Sequence, residues 1–458
     1  MRKAFIMASI LLSMLQAGTA SAVTENSVAS NEQLTSAAWT NLREIAKLRP
    51  IVHVVHIDTS SPSGIPKEHI LRLIPSAKKG DVRLSRLEKE LHLVSDGGLP
   101  VTALLKEASS GCSLLIIAGA PSETLSVEKP DDGTSKTSAA WQRGNITNRG
   151  DSFGINYSTL PGQPYGKGRG SISYRGLLPC LSDTWTLQFK GSNLDLGDID
   201  SSEGLFDITS DGRSSSASIG YQHNMTYSER TKDILGLTIG KHSYSDNDTR
   251  LYVDGNRLRY DFDITDFALT YHHTNAFGPH NFSMNLGWRG SLSPSSGAGA
   301  VTPGSDKSYH LLQANAAYNF SKKDGWEMGL NLHGQYSSNH LAASEQLGAG
   351  SAYSIHAFGD AIMSSDSGFI GSLSITTPEW LPCTRFRLFS DYADLTNNLY
   401  GGNLFRHGKL STTGIGWHYS RDDNFSLDYY YAISDPSGLT GTAEPERRKW
   451  ALSLSTKF

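Results

Sequence analysis

Apolar and polar residues take turns along most of this chain. At the C-terminus Trp450, Leu452, Leu454, Thr456 and Phe458 alternate with Ala451, Ser453, Ser455 and Lys457. In "GWEMGLNLHG", Trp326, Met328, Leu330 and Leu332 oppose Glu327, Gly329, Asn331 and His333. "NFSMNLGWRG" repeats the pattern with Phe282, Met284, Leu286 and Trp288 against Ser283, Asn285, Gly287 and Arg289. Successive side chains of a strand point to opposite faces, so each segment predicts a strand with one apolar and one polar side. A soluble sandwich alternates as well, but its buried sets do not carry Glu, Asn, Asp, Lys and Arg. Many runs are near ten residues, the length a tilted membrane-crossing strand needs. Tight connections ("SERT", "KKDG", "RDDN") interleave with long Gly/Ser-rich ones such as "SPSSGAGAVTPGSDK". About sixteen such segments fit between Ser122 and Phe458, which predicts a 16-stranded antiparallel transmembrane β-barrel of the outer-membrane type over 122–458.

The first part of the chain follows another grammar. Met1-Arg2-Lys3, an apolar run from Ala4 to Leu15 and the site Ala20-Ser21-Ala22 predict a secretory signal peptide over 1–22. The run is too short to span a bilayer, and no later apolar stretch reaches the roughly 18 residues a transmembrane helix needs. Residues 23–49 are polar with one helical patch, "LTSAAWTNLREIAKLR", readable as a shortened plug helix or as a lead into the next module. Over 50–121 the order is strand ("IVHVVHID"), short helix ("IPKEHILRLI"), a second helix with Leu84, Leu87, Leu91 and Val94 on one face, and two strands ("VTALLKE", "SLLIIAG"). That is a small α+β module.

Composition narrows the function. Net charge is −4 and only 38% of residues are hydrophobic, so no strongly basic surface argues for nucleic acid. Cys112, Cys180 and Cys383 cannot all pair and lack metal-ligand spacing, which argues against both a disulfide framework and a metal site. No nucleophile elbow or H-E-x-x-H motif appears, so no catalytic residue and no cofactor is assigned. Arg149-Gly150-Asp151 spells an adhesion tripeptide but falls in a short turn on the periplasmic rim. His272 and His273, adjacent on a strand, point to opposite faces and cannot share a metal.

Several stretches together resemble a known family. "GLPVTALLKEASSGCSLLII" is similar to the last hairpin of a POTRA domain, "NRGDSFGINYS" to a G-x-G-D turn, and "GSISYRGLLP" to a Y-x-x-P descent. Ser344-Glu345-Gln346-Leu347, Gly350 and Ser354-Ile355-His356-Ala357-Phe358 keep the spacing of S-E-Q-F-x-x-G-G-x-x-S-V-R-G-F, and Phe389-Ser390-Asp391 matches F-x-D. This is the pattern of two-partner secretion transporters, the TpsB proteins, which resemble the barrel-assembly insertases. The resemblance implies that the sixth long loop (344–365) folds into the lumen and that its tip meets Asp391. Here the tip Arg is His356, its Gly is Ala357, and a Glu frequent in the family aligns with Ser374. Alternation in "TRFRLFSDY" turns Arg385, Arg387, Phe389 and Asp391 inward. His cannot make the two-pronged guanidinium–carboxylate contact, and only protonated His356 gives a charged pair, so such a hold is expected to weaken as pH rises.

The resemblance implies a non-enzymatic conduit in the outer membrane of a Gram-negative cell, surrounded by lipid, monomeric, with one POTRA domain in the periplasm. Its partner is a secreted, unfolded client protein. The client is expected to add as a strand along "IVHVVHI" or "VTALLKE", with Val101, Leu104, Leu87 and Leu91 around the groove. Two readings stand beside it: a barrel assembly or insertion factor, and a passive porin with a vestigial POTRA.

Overall fold

The structure is a computed structural model that describes residues 42, 44–128, 138–159, 168–179, 182–200, 207–246, 251–253, 256–258, 261–293, 306, 308–341, 346–349, 363–398, 407–421, 425–437 and 448–456. A small module comes first: β1 (Ile51–Ser60), α1 (Lys67–Leu73), β2 (Gly80–Arg83), α2 (Leu84–Asp96), β3 (Val101–Ala108) and β4 (Gly111–Ala118). The strands form one sheet in the order β2-β1-β4-β3, with β1 and β4 parallel. The Leu84, Leu87, Leu91 and Val94 stripe of α2 is almost wholly buried, as are alternate residues of β4 (Cys112, Leu114, Ile116, Ala118). Leu42 joins this core and residues 44–48 are helical, so the described part of the leading segment packs on the module. Two expectations change here. The four-residue strand β2 is too short to show a period, and it covers one side of β1, which is therefore an inner strand; β3 ends the sheet order on the other side.

A second sheet takes up the rest of the chain. Its strands are β5 (Glu123–Glu128), β6 (Ser138–Gly144), β7 (Ser152–Thr159), β8 (Gly168–Leu178), β9 (Asp183–Asp200), β10 (Asp207–Tyr227) and β11 (Thr231–Asp246). A small ribbon of β12 (Leu251–Val253) and β13 (Asn256–Leu258) stands apart, before β14 (Asp261–Phe277), β15 (His280–Ser291), β16 (His310–Ser321) and β17 (Glu327–Ser337). A second ribbon, β18 (Leu347–Ala349) with β19 (Met363–Ser365), precedes β20 (Ser367–Thr376), β21 (Thr384–Thr396), β22 (His407–Arg421), β23 (Phe425–Ser437) and β24 (Arg448–Thr456). Neighbours pair antiparallel in chain order from β5 to β24, passing over the two ribbons. The strands fall where the two-residue period predicts them, with β9 running on to Asp200 and β10 starting at Asp207.

The register explains why this sheet needs two different surroundings. Trp185, Tyr221, Leu237, Leu269, Trp288, Leu312 and Tyr336 are successive cross-strand partners, so they form one row on one face. Six of them, from Tyr221 to Tyr336, are 38–63% exposed. A row of large apolar side chains left in the open is unfavourable in water and favourable in lipid. The adjacent row on the other face reads Gln222, Gly236, Thr270, Gly287, Gln313, Gln335, Gly368. Leu269→Arg is expected to cost about 2–4 kcal/mol of stability in a bilayer, whereas Thr270→Arg on the opposite face costs little. Urea titration of heat-modifiable electrophoretic mobility in lipid vesicles checks the difference; equal midpoints would refute the assignment of faces.

Connections at one end of the sheet are tight, as at 145–151, 179–182, 228–230 and 278–279; at the other end the longest spans 338–366. The module packs on the tight end of β6–β11. Leu177 and Tyr227 enter its core, and Lys89 Nζ donates to the carbonyl of Asn224. Asp96 accepts from Tyr227 and, at 3.0 Å, from Lys232. Burial alone would raise the Asp96 carboxyl, but the Tyr227 and Lys232 hydrogen bonds outweigh it and hold it below its ordinary range. Its contribution to docking is therefore complete at neutral pH and is lost only as pH falls through that depressed value. Gly98 and Gly144 touch backbone to backbone; a Cβ on either would fall inside 3.0 Å of the other's main chain.

Candidate functional site

The polar face of β20–β23 changes character where the long connection meets it. Ile370, Ala393 and Leu410 are cross-strand partners there, and with Phe389, Leu395 and Ala432 they bury Leu347, the first residue of β18. The base of the 338–366 connection thus lies against the polar face of the sheet, and the face turns apolar where it is covered. Gly414 makes room for the Phe389 ring, which a Cβ at that position would strike. One step along, Asp391 is 1% exposed, and Ser372 Oγ donates to its Oδ1 at 2.7 Å. Thr412, its partner in register, is buried too.

A second carboxylate fastens the same connection. Asp366 is fully buried. Its Oδ1 accepts from the backbone N–H of Leu341 (2.7 Å) and from Gln346 Nε2 (3.1 Å). Its Oδ2 accepts from the N–H of Asn398 (2.8 Å) and lies 2.9 Å from His340 Nδ1. One side chain therefore ties both ends of the 338–366 connection to the start of the one after β21. A third cluster holds the connection before β16: Tyr309 Oη donates to Asp266 Oδ2 at 2.9 Å, Arg289 Nε donates to it at 2.6 Å, and His242 Nε2 lies 3.2 Å from Oδ1. Tyr309 and Leu341 then pack with Ile264 and Leu311. At the long-connection end, chain segments are drawn over the polar face and pinned there by buried acids.

A sheet apolar on one face and polar on the other, with its longest connection drawn over the polar one, fits a barrel of the outer-membrane type. Residues 128–404 match the family model described as haemolysin secretion/activation protein ShlB/FhaC/HecB. The chain belongs to this family. No curated protein sequence matches it. Among solved structures, CdiB from Acinetobacter baumannii is similar at 16% identity, covering 88% of this chain and 73% of that one with a TM-score of 0.62. CdiB from Escherichia coli aligns at 12% identity over 88% and 76% of the two chains, with a TM-score of 0.63. BamA from Haemophilus ducreyi lacking POTRA domains 1–3 aligns at 14% identity, with 88% and 84% coverage and a TM-score of 0.59. These likenesses bear on the fold. The ShlB/FhaC/HecB family is one of two-partner secretion transporters of the outer membrane, not of enzymes. Among the described residues no group of three or more His, Cys, Asp or Glu could hold a metal ion.

The expected site residues of this family member sort into three groups. Ser354, Ile355, His356, Ala357 and Phe358 lie outside the described residues, and with them the His356–Asp391 pairing. Phe389 and Asp391 do share the polar face with Ser374, which pairs with Phe389 in register. Arg387 sits near the Phe389 ring, its guanidinium carbon 5.9 Å from the centroid. Arg385 serves the tight end rather than an open wall: it donates to the carbonyls of Gly325 (2.8 Å) and Thr377 (3.0 Å) and pairs with Glu327 at 3.0 Å. The client groove is corrected. Leu87, Leu91 and Val101 are at most 2% exposed and form the module's own core, so no ligand reaches them; Leu104 alone is half-buried. Arg149-Gly150-Asp151, set aside as an adhesion signal, is a structural turn: Asp151 is fully buried and accepts from Thr147 N–H and Tyr174 Oη. Asp366, His340 and Asn398 were invisible in sequence, and Gln346 was legible only as part of the Ser344–Leu347 motif, not as a partner of Asp366. Their signal is a meeting of separate connections, and "SSDSG" alone reads as an ordinary polar turn.

Proposed function

We propose that the chain closes into a 16-stranded barrel with its polar face inward and exports one large partner protein, unfolded, from the periplasm to the cell surface. The observation that carries this reading is the base of the 338–366 connection packed on the polar face through Leu347, which fits a loop that folds into a lumen and gates it. The module docked at the tight end is a POTRA domain in the periplasm. It receives the client along β3, the strand at the end of its sheet, by main-chain pairing that reads little sequence. The apolar row faces the membrane lipid, and a single chain suffices, without metal or cofactor.

The test is deletion of residues 50–120 in the producing strain, with the surface and medium proteins compared before and after. One large polypeptide is expected to vanish from the outside and collect in the periplasm, while the truncated protein still conducts in planar bilayers. Unchanged secretion would reduce the protein to a passive pore. Loss of many outer-membrane proteins instead of one would make it an assembly factor.

A further inference from the structure

The polar face has a property that goes beyond forming a lumen. Between Lys232 on β11 and Asp391 on β21, three adjacent rows of in-register partners carry no Lys, Arg, Asp or Glu. The middle of this panel, on β15–β17, is built of carboxamides. Gln313 and Gln335 bond each other at 2.9 Å, and Asn315 bonds His333. Asn281, Asn285, Asn319 and Asn331 are exposed on the same face, and their carboxamides form no hydrogen bond among the described residues. A cavity of about 450 Å³ lies against Asn285, Asn315, Asn331 and Ser372.

A carboxamide offers one carbonyl acceptor and an N–H donor pair, the same groups as a peptide bond. A wall of them can exchange hydrogen bonds with any passing main chain at nearly constant free energy. Lysines or aspartates would arrest segments of opposite charge, and leucines would hold apolar ones. We infer that the carboxamide panel on β15–β17 is the contact track for the main chain of an extended polypeptide in transit. The inference rests on the export reading and names the surface that reading leaves open.

The full chain in planar bilayers tests it, with a synthetic Gly/Ser/Asn peptide roughly 30 residues long, about 100 Å when extended, as the probe. Polylysine of equal length is the second probe. Wild type is expected to show brief blockades by both. Asn285→Asp with Asn331→Asp should lengthen polylysine dwell about tenfold and shift the open pore toward cations. Asn285→Leu with Asn331→Leu should shorten Gly/Ser/Asn dwell several-fold, and the paired Gln variants should restore it. Each variant is first checked for heat-modifiable mobility, and the Asp and Gln pairs decide the matter should the Leu pair not insert. Dwell times unmoved by the Asp and Leu pairs would overturn the inference while leaving export intact. No blockade of wild type by either probe would instead refute the conduit. Protease exposure of 350–362 in the variants, with dwell unchanged, would assign the panel to the chain's own loop and equally overturn it.

Discussion

Asp366→Asn is expected to release the 338–366 connection and raise the conductance of the purified protein, without dismantling the sheet. The carboxylate is fully buried and takes four contacts, two on each oxygen. Asparagine keeps one acceptor oxygen and puts an amide donor in place of the other. Whichever way the amide turns, two donors lose their acceptor, and at least one of these is a backbone N–H that cannot rotate away. At about 1–3 kcal/mol for each stranded buried donor, the swap costs about 2–6 kcal/mol. That rivals the whole stability of a small domain. The cost falls on the connections, since the sheet is held independently by its own ladders from β5 to β24. The hub is also the weak point of the closure, because buried His340 Nε2 and Ser365 Oγ beside it have no hydrogen-bond partner among the described residues. Three results are expected together: unchanged heat-modifiable mobility, more frequent or larger open events, and new protease cleavage within 341–366. Asp366→Glu, which keeps the charge on a longer arm, should give an intermediate result. Wild-type conductance and cleavage in Asp366→Asn would show that the hub does not hold the connection.

How much of this was legible in the sequence differs by kind of contact. The strands of the large sheet were, because a sheet with one apolar and one polar face imposes a two-residue period that survives in Trp288, Leu269 and Leu237 without help from tertiary context. The α2 stripe was legible for the same reason at helical spacing. What those leucines touch was not. A buried stripe looks the same whether it lines a groove or a core, and Leu87 and Leu91 proved to be core. Nor could Asp366 be found, since its four donors come from positions 340, 341, 346 and 398 and no local rule brings them together. Arg385 shows the limit of parity. Alternation assigned its face, but its height along the strand, next to the Gly325 turn, decided its partners.

Gly144→Ala is expected to uncouple the module from the sheet and abolish export while sparing the pore. Gly144 ends β6, and a methyl group there would meet the Cα, carbonyl carbon and carbonyl oxygen of Gly98, all closer than real Cβ atoms approach. Every one of those atoms is main chain, so no rotamer change relieves the clash. Either β6 or the turn after α2 must move. The neighbouring contacts depend on that closeness: Ser122 N–H donates to the Gly98 carbonyl at 2.7 Å, and Asn145 N–H to that of Gly97 at 3.3 Å. Overpacking of this kind costs about 1–3 kcal/mol, and the turn has little slack because Gly98 already holds φ at +84°. Gly154→Ala is the matched control, since the one tight contact of its new methyl would be the Ser173 hydroxyl at 3.1 Å, a side chain able to turn aside, with the Trp141 carbonyl at an ordinary 3.8 Å. Hydrogen exchange read by mass spectrometry should show protection lost over 86–96 and 145–151 in Gly144→Ala and kept in Gly154→Ala. Single-channel conductance should match wild type in both. Export of the partner protein should fall at least tenfold in Gly144→Ala alone, because on the proposed route a strand caught on β3 would reach the lumen only with the module seated at the tight end. Normal export with exchange protection lost would mean that the module works on a tether, and that its fixed docking is a resting position rather than part of the route.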